Sequence, residues 1–158
     1  ENELTKQAGI LLDRTTSGAV VGQDRQTNVP GIFACGNVLH VHDLVDFVSE
    51  EAETAGVSAA AFIKKTDGFS QADISVIPQG LARYVVPQKI TRACDVKLYF
   101  RVSDVCRDVT IQIKDGGRVI LSHKKQKVAP GEMETVTLKH DLIEKVSGRE
   151  LIVEVIKQ

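Results

Sequence analysis

The chain changes its hydrophobic period once, at the polar, glycine-containing stretch Lys65 to Asp73 (KTDGFSQAD), and that change confines it to two kinds of structure in series. Beyond it, apolar and polar residues alternate repeatedly. Leu98, Phe100 and Val102 alternate with Lys97, Tyr99, Arg101 and Ser103, with Val96 and Cys94 on the same inward parity. Val109, Ile111 and Ile113 alternate with Thr110, Gln112 and Lys114, and Asp115-Gly116-Gly117 then turns the chain into Arg118 to Lys124, a hairpin signal. Val136 and Leu138 oppose Thr135, Thr137 and Lys139, while Leu151, Val153 and Val155 oppose Ile152, Glu154 and Ile156. With Ile74 to Ile77 and Leu81 to Val86, about seven short strands follow at sandwich spacing. An antiparallel sandwich of the immunoglobulin or fibronectin kind is expected over 74–158. The antibody inter-sheet disulfide is excluded, because Trp is absent and Cys94 and Cys106 stand only 12 residues apart.

Upstream of the switch the pattern is mixed. Leu4 to Ala8 fits a short helical end, and Ile10 to Leu12 and Ala19 to Val21 fit short strands joined by the polar turn Asp13 to Gly18. A helix is expected from about Phe47 to Lys65, capped by Asp46 or Ser49, with Glu50 and Glu51 in its first turn and Lys64 and Lys65 at its end. Its small residues Ala52, Ala55, Gly56, Ala59 and Ala60 share one side and would let it lie close against a sheet or another helix. Between these parts lies Thr27 to Val38, TNVPGIFACGNV. Pro30-Gly31 forms a tight turn, and Ile32 to Cys35 is a continuous apolar run expected as a strand buried on both faces of a parallel sheet. Gly36 ends that strand at the edge where ligands sit in doubly wound folds, and Asn37 follows.

This run resembles the second flavin-contacting motif of the FAD-dependent pyridine nucleotide-disulfide oxidoreductases, T-x-x-P-G-I-[FY]-A-x-G-D followed by an Ala/Gly-rich helix. Gly9 to Asp13 and Gly18 to Val21 are similar to the segments that precede the motif, so the resemblance covers roughly residues 1–63. In the family the residue after the Gly is an Asp that hydrogen-bonds the ribityl chain of FAD. Here it is Asn37, whose amide can still accept and donate but brings no charge. Together with the alternation beyond residue 73, an α+β, mainly β chain is expected: an incomplete FAD-binding α/β segment over 1–66, a linker over 67–73 and the immunoglobulin-like sandwich over 74–158. The resemblance implies a cofactor site at Gly36, Asn37, Val48, Ser49 and Glu50, with FAD as cofactor and NAD(P)H as co-substrate of the complete enzyme. The wording FACGNVLHVHDLVDF is also similar to oxidoreductases of anaerobic glycerol 3-phosphate metabolism.

The chain opens on Glu1, within what resembles the middle of a family member, and contains no GxGxxG to carry a dinucleotide pyrophosphate. A fragment that is inactive alone is therefore expected, with the upstream part of the same protein as its partner and self-association through the first half. The other function class is a non-catalytic binding or assembly module built on the sandwich.

Charge is nearly balanced, 20 basic against 21 acidic side chains in 158 residues, which gives no electrostatic case for nucleic acid. The Lys124, Lys125, Lys127 and Arg118 group is interspersed with Glu132, Glu134, Asp115 and Asp141 and lacks a stacking platform, so a solvated face is expected. No apolar stretch approaches membrane-span length, and a cytoplasmic location is expected. Three cysteines without CxxC give neither a disulfide framework nor a zinc site. Cys35 and Cys94 are expected as core packing and Cys106 as loop; His123 and His140 are expected at strand surfaces or edges. His40 and His42, just past the flavin edge, are the candidate catalytic residues. They lack a third ligand at a recognisable spacing, so no metal is expected.

Overall fold

A computed structural model describes residues 2–64 and 72–158, and the chain divides into two compact units, Glu1–Gln71 and Ala72–Gln158. Most of the expected linker, 67–71, lies outside the described residues.

The first unit is built on turns. Helix α1 (Glu3–Gln7) leads into an antiparallel bridge between Leu12 and Ala19. Asp13 shapes the intervening turn by accepting from the Thr15 and Thr16 amides at 2.8 and 2.9 Å. A second hairpin closes at Pro30-Gly31, where Gly31 has φ +81° and the Ile32 amide donates to Val29 O at 3.1 Å, the arrangement of a type II turn. That turn overrides the parallel-strand expectation for Ile32 to Cys35. It folds the run back on its own predecessor: Thr27 N–H donates to Ile32 O, Ala34 N–H donates to Arg25 O, and Gln26 bridges Phe33 antiparallel. Ile32, Phe33, Ala34 and Cys35 are accordingly half-buried rather than enclosed on both faces.

Gly36–Val38 then makes a single 3-10 turn, and helix α2 spans Val45–Lys64. Because α2 starts at Val45, neither Asp46 nor Ser49 precedes it as a cap. Asp46 sits in the first turn, and Ser49 donates back to Val45 O at 3.1 Å. Glu50 and Glu51 fall beyond the first turn. Of the small-residue side of α2, Ala55 is buried and Ala59 half-buried, and the inward stripe is otherwise made of larger residues. Val48 approaches Gly36, Glu51 and Ala55 are buried, and Phe62 lies over Gly31 and edge-on to Phe33 with centroids 6.1 Å apart. Large and polar groups have partners in the hairpin, so they turn inward, and Ala52, Gly56 and Ala60 face out.

The second unit contains β1 (Ile74–Gly80), β2 (Ala82–Val86), β3 (Lys89–Ile90), β4 (Val96–Val102), β5 (Cys106–Asp115), β6 (Arg118–Val128), β7 (Glu134–Leu138), α3 (His140–Ile143) and β8 (Glu150–Lys157). Two sheets form, ordered β3-β1-β8-β5-β6 and β2-β4-β7. All pairings are antiparallel except β1 with β8, which run parallel with Val76 opposite Leu151. Gly80 ends this pair, opposite Val155. At φ +64°, with the Val155 carbonyl where a side chain would stand, it lets the chain leave β1 and cross to β2 in the other sheet.

The core is the one the alternation describes. Leu98, Phe100 and Val102 of β4 face Val109, Ile111 and Ile113 of β5 and Leu151, Val153 and Val155 of β8, all of them buried. Three residues differ from expectation. Cys94 is exposed in the loop before β4, because β4 begins only at Val96. Cys106 instead starts β5 and packs half-buried against the core. His140 opens α3 rather than occupying a strand, with its amide held by Asp95 at 2.8 Å.

Candidate functional site

The densest polar cluster in the first unit centres on a residue that sequence reasoning assigned to a helix terminus. Glu51, the seventh residue of α2, is fully buried. Its Oε2 accepts from the Gly36 amide at 2.9 Å and faces His42 Nε2 at 2.9 Å. Its Oε1 faces His40 Nε2 at 3.3 Å and lies 3.4 Å from Arg25 Nε.

The backbone brings these groups together from four short segments. Arg25 has φ +63°, a left-handed conformation that disfavours side chains, and its amide closes a turn onto Gly22 O. Gly36, at φ +71°, turns its N–H toward Glu51. Asn37 is exposed, and its side-chain oxygen accepts from the His42 amide at 3.3 Å, bending the chain so that both imidazoles return to α2. The two rings pack edge-to-face with centroids 4.3 Å apart.

Burial pushes the Glu51 carboxyl up, but His40, the Arg25 charge and His42 together outweigh it and hold the group at about 2. Burial moves His40 the other way, below its ordinary value, against the pull of Glu51. At neutral pH the centre is therefore an ionised carboxylate beside a neutral His40 imidazole. Burial and the Glu51 charge push the Cys35 thiol up, so it stays protonated and is not an activated nucleophile.

Of the sequence-derived site residues, the structure joins Gly36, His40 and His42 through Glu51. Val48 lies against Gly36. Ser49 and Glu50 are exposed and bonded within α2: Ser49 Oγ donates to Val45 O, and Thr54 Oγ1 donates to Glu50 O. Glu51 and Arg25 are the residues sequence reasoning missed. Glu51 left one trace: it stands four residues before Ala55, so a carboxylate shares a stripe with the helix's buried small residue. Arg25 left none.

The donor atoms of His40, His42 and Glu51 all lie within 4.8 Å of one another, which makes them the metal-capable group among the described residues. No family model, curated protein or solved structure matches the chain.

Proposed function

We propose that the first unit supplies the second flavin-contacting motif of a cytoplasmic FAD-dependent pyridine nucleotide oxidoreductase, acting with the upstream part of the same protein, and that the chain alone is not an active enzyme. The observation that carries this reading is the uncovered side of α2. Ala52, Gly56 and Ala60 are exposed, no atom stands within 4 Å of where a side chain at Gly56 would begin, and Val45, Val57 and Ile63 are exposed beside them. A small-residue stripe on a 20-residue helix suits close approach by another layer. The resemblance puts the ribityl contact at Asn37, and the side chain of Asn37 is exposed at the Gly36 turn. Val41 and Leu44, in the connection that follows, are also exposed. Among the described residues no helix is long and apolar enough to cross a membrane.

The test is the visible spectrum of the complete protein that contains this segment. Bound FAD is expected, and Asn37→Leu is expected to weaken its retention by about 1–3 kcal/mol through a buried hydroxyl left without its partner. A complete protein without flavin, or one whose FAD affinity ignores Asn37→Leu, refutes the assignment. The isolated chain is expected to be colourless and to self-associate through the exposed α2 side; a monomer in light scattering refutes the association. The sandwich as a binding module has β6 as its strongest feature, an 11-residue edge strand paired only with β5. Its exposed Lys124, Lys125 and Lys127 are the side chains that bar strand addition at sheet edges, so β6 does not favour that reading.

A further inference from the structure

We propose that the imidazoles of His40 and His42 and the carboxylate of Glu51 bind one divalent first-row transition ion of the Zn2+ class, which clamps the connection after Gly36 onto α2. This site is independent of the flavin assignment.

The geometry carries it. Zinc bonds to imidazole nitrogen and carboxylate oxygen measure about 2.0–2.2 Å, so neighbouring ligands around one ion stand about 2.9–3.5 Å apart. His42 Nε2 is 2.9 Å from Oε2, and His40 Nε2 is 3.3 Å from Oε1. Both nitrogens thus stand from the same carboxylate at the separations of ligands sharing one ion. Because one imidazole faces each oxygen, the carboxylate presents both to the cluster, and bidentate binding gives four donor atoms from three residues. Two imidazoles and a carboxylate suit zinc, cobalt or ferrous iron rather than calcium or magnesium, which take oxygen shells.

The surroundings are built to hold such a shell. The three side chains are almost wholly withdrawn from solvent, at 1%, 1% and 0% exposure for His40, His42 and Glu51. The Gly36 amide fixes Oε2, in the orienting role that outer groups play around metal ligands. Arg25 Nε lies 3.4 Å from Oε1 and opposes a cation, so the affinity falls below that of a thiolate site. The burial points to a structural ion rather than one with an open catalytic position.

The experiment is titration of the EDTA-stripped 158-residue chain with Zn2+ and with Co2+. One equivalent is expected to bind, with Co2+ giving the visible bands of a low-coordinate nitrogen/oxygen shell. Zn2+ is expected to raise the unfolding midpoint seen by helical circular dichroism and to leave the tyrosine-fluorescence midpoint unmoved, because both tyrosines, Tyr84 and Tyr99, lie in the second unit. His40→Gln and His42→Gln are each expected to lower affinity at least about 10-fold, and His123→Gln with His140→Gln to leave it unchanged. Absence of saturable binding, a midpoint rise seen only by tyrosine, or full affinity in both single variants overturns the site. Should either variant lose its helical signal, the wild-type measurements decide, and failure of the midpoint rise or of the Co2+ bands overturns it.

Discussion

Replacing Glu51 by Gln keeps the shape of the side chain and removes its charge, which isolates what the buried carboxylate contributes to the first unit. Two independent routes give the size. The fall of the carboxyl from 4.5 to about 2 on folding is worth about 3 kcal/mol, at about 1.4 kcal/mol per pH unit. Removing one member of a buried ion pair costs about 3–5 kcal/mol, because the partner remains buried, and here the partner Arg25 is only 4% exposed. The amide also retains one acceptor oxygen for two sets of donors: Gly36 N–H and His42 on one side, Arg25 and His40 on the other. A unit of this size has a total stability of about 4–10 kcal/mol, so a loss of about 3 is a large fraction of it. In EDTA, urea unfolding followed by helical circular dichroism should show a midpoint about 2 M lower, for a slope of about 1–1.5 kcal/mol/M. That signal reports the first unit, because α2 has 20 residues and α3 only four. Tyrosine fluorescence, which reports the second unit, should not change. A circular dichroism transition displaced by less than about 1 kcal/mol, or a tyrosine transition displaced equally, refutes the account of Glu51.

The same centre sets a pH dependence in EDTA. Glu51 and His40 both have depressed folded values, so each contributes stability that is present above its unfolded value and lost as pH falls: His40 below 6.5, Glu51 from 4.5 toward about 2. Acid titration of the helical signal should show both losses, and Glu51→Gln should lack the lower one. Gly18→Ala drives a methyl group into the Leu39 backbone carbonyl, and a loss of about 1–3 kcal/mol or more is expected in the first unit alone; an unchanged helical midpoint refutes the contact. Asp115 accepts from Ser147 N and Oγ at 3.0 Å, from Gly148 N at 3.1 Å and from Arg118, so Asp115→Ala should lower the tyrosine midpoint by about 2–3 kcal/mol. The Ser147 amide leads in holding Asp115 below its ordinary value, and its contribution fades as pH falls below 3.8. Residues 72–158 expressed alone should unfold cooperatively at the midpoint of the second unit, since every residue of the sandwich core lies within them; a broad, uncooperative transition refutes this.

What was legible in the sequence followed from where each side chain finds its partner. The sandwich strands were readable because period-two alternation and burial are the same fact: Leu151, Val153 and Val155 face inward because a sheet allows nothing else. The parallel β1 and β8 pair was not readable, since it joins residues far apart in sequence, such as Gly80 and Val155. The Pro30-Gly31 turn is readable, but the antiparallel return of Ile32 to Cys35 onto Arg25 to Thr27 is not. An apolar run signals burial but does not name the partner, and the turn had already supplied one in Arg25 to Thr27. The centre of the site was hidden for a related reason. A glutamate near the start of a helix has an ordinary explanation in the helix dipole, which conceals any other use. Only the fold of the loop after Gly36 shows that Glu51 points inward, where the Gly36 amide, two imidazoles and Arg25 converge on it. That convergence gives the outward roll of Ala52, Gly56 and Ala60 a physical cause. The stripe of α2 that carries the carboxylate must face the hairpin, and Ala52, Gly56 and Ala60 are thereby left exposed.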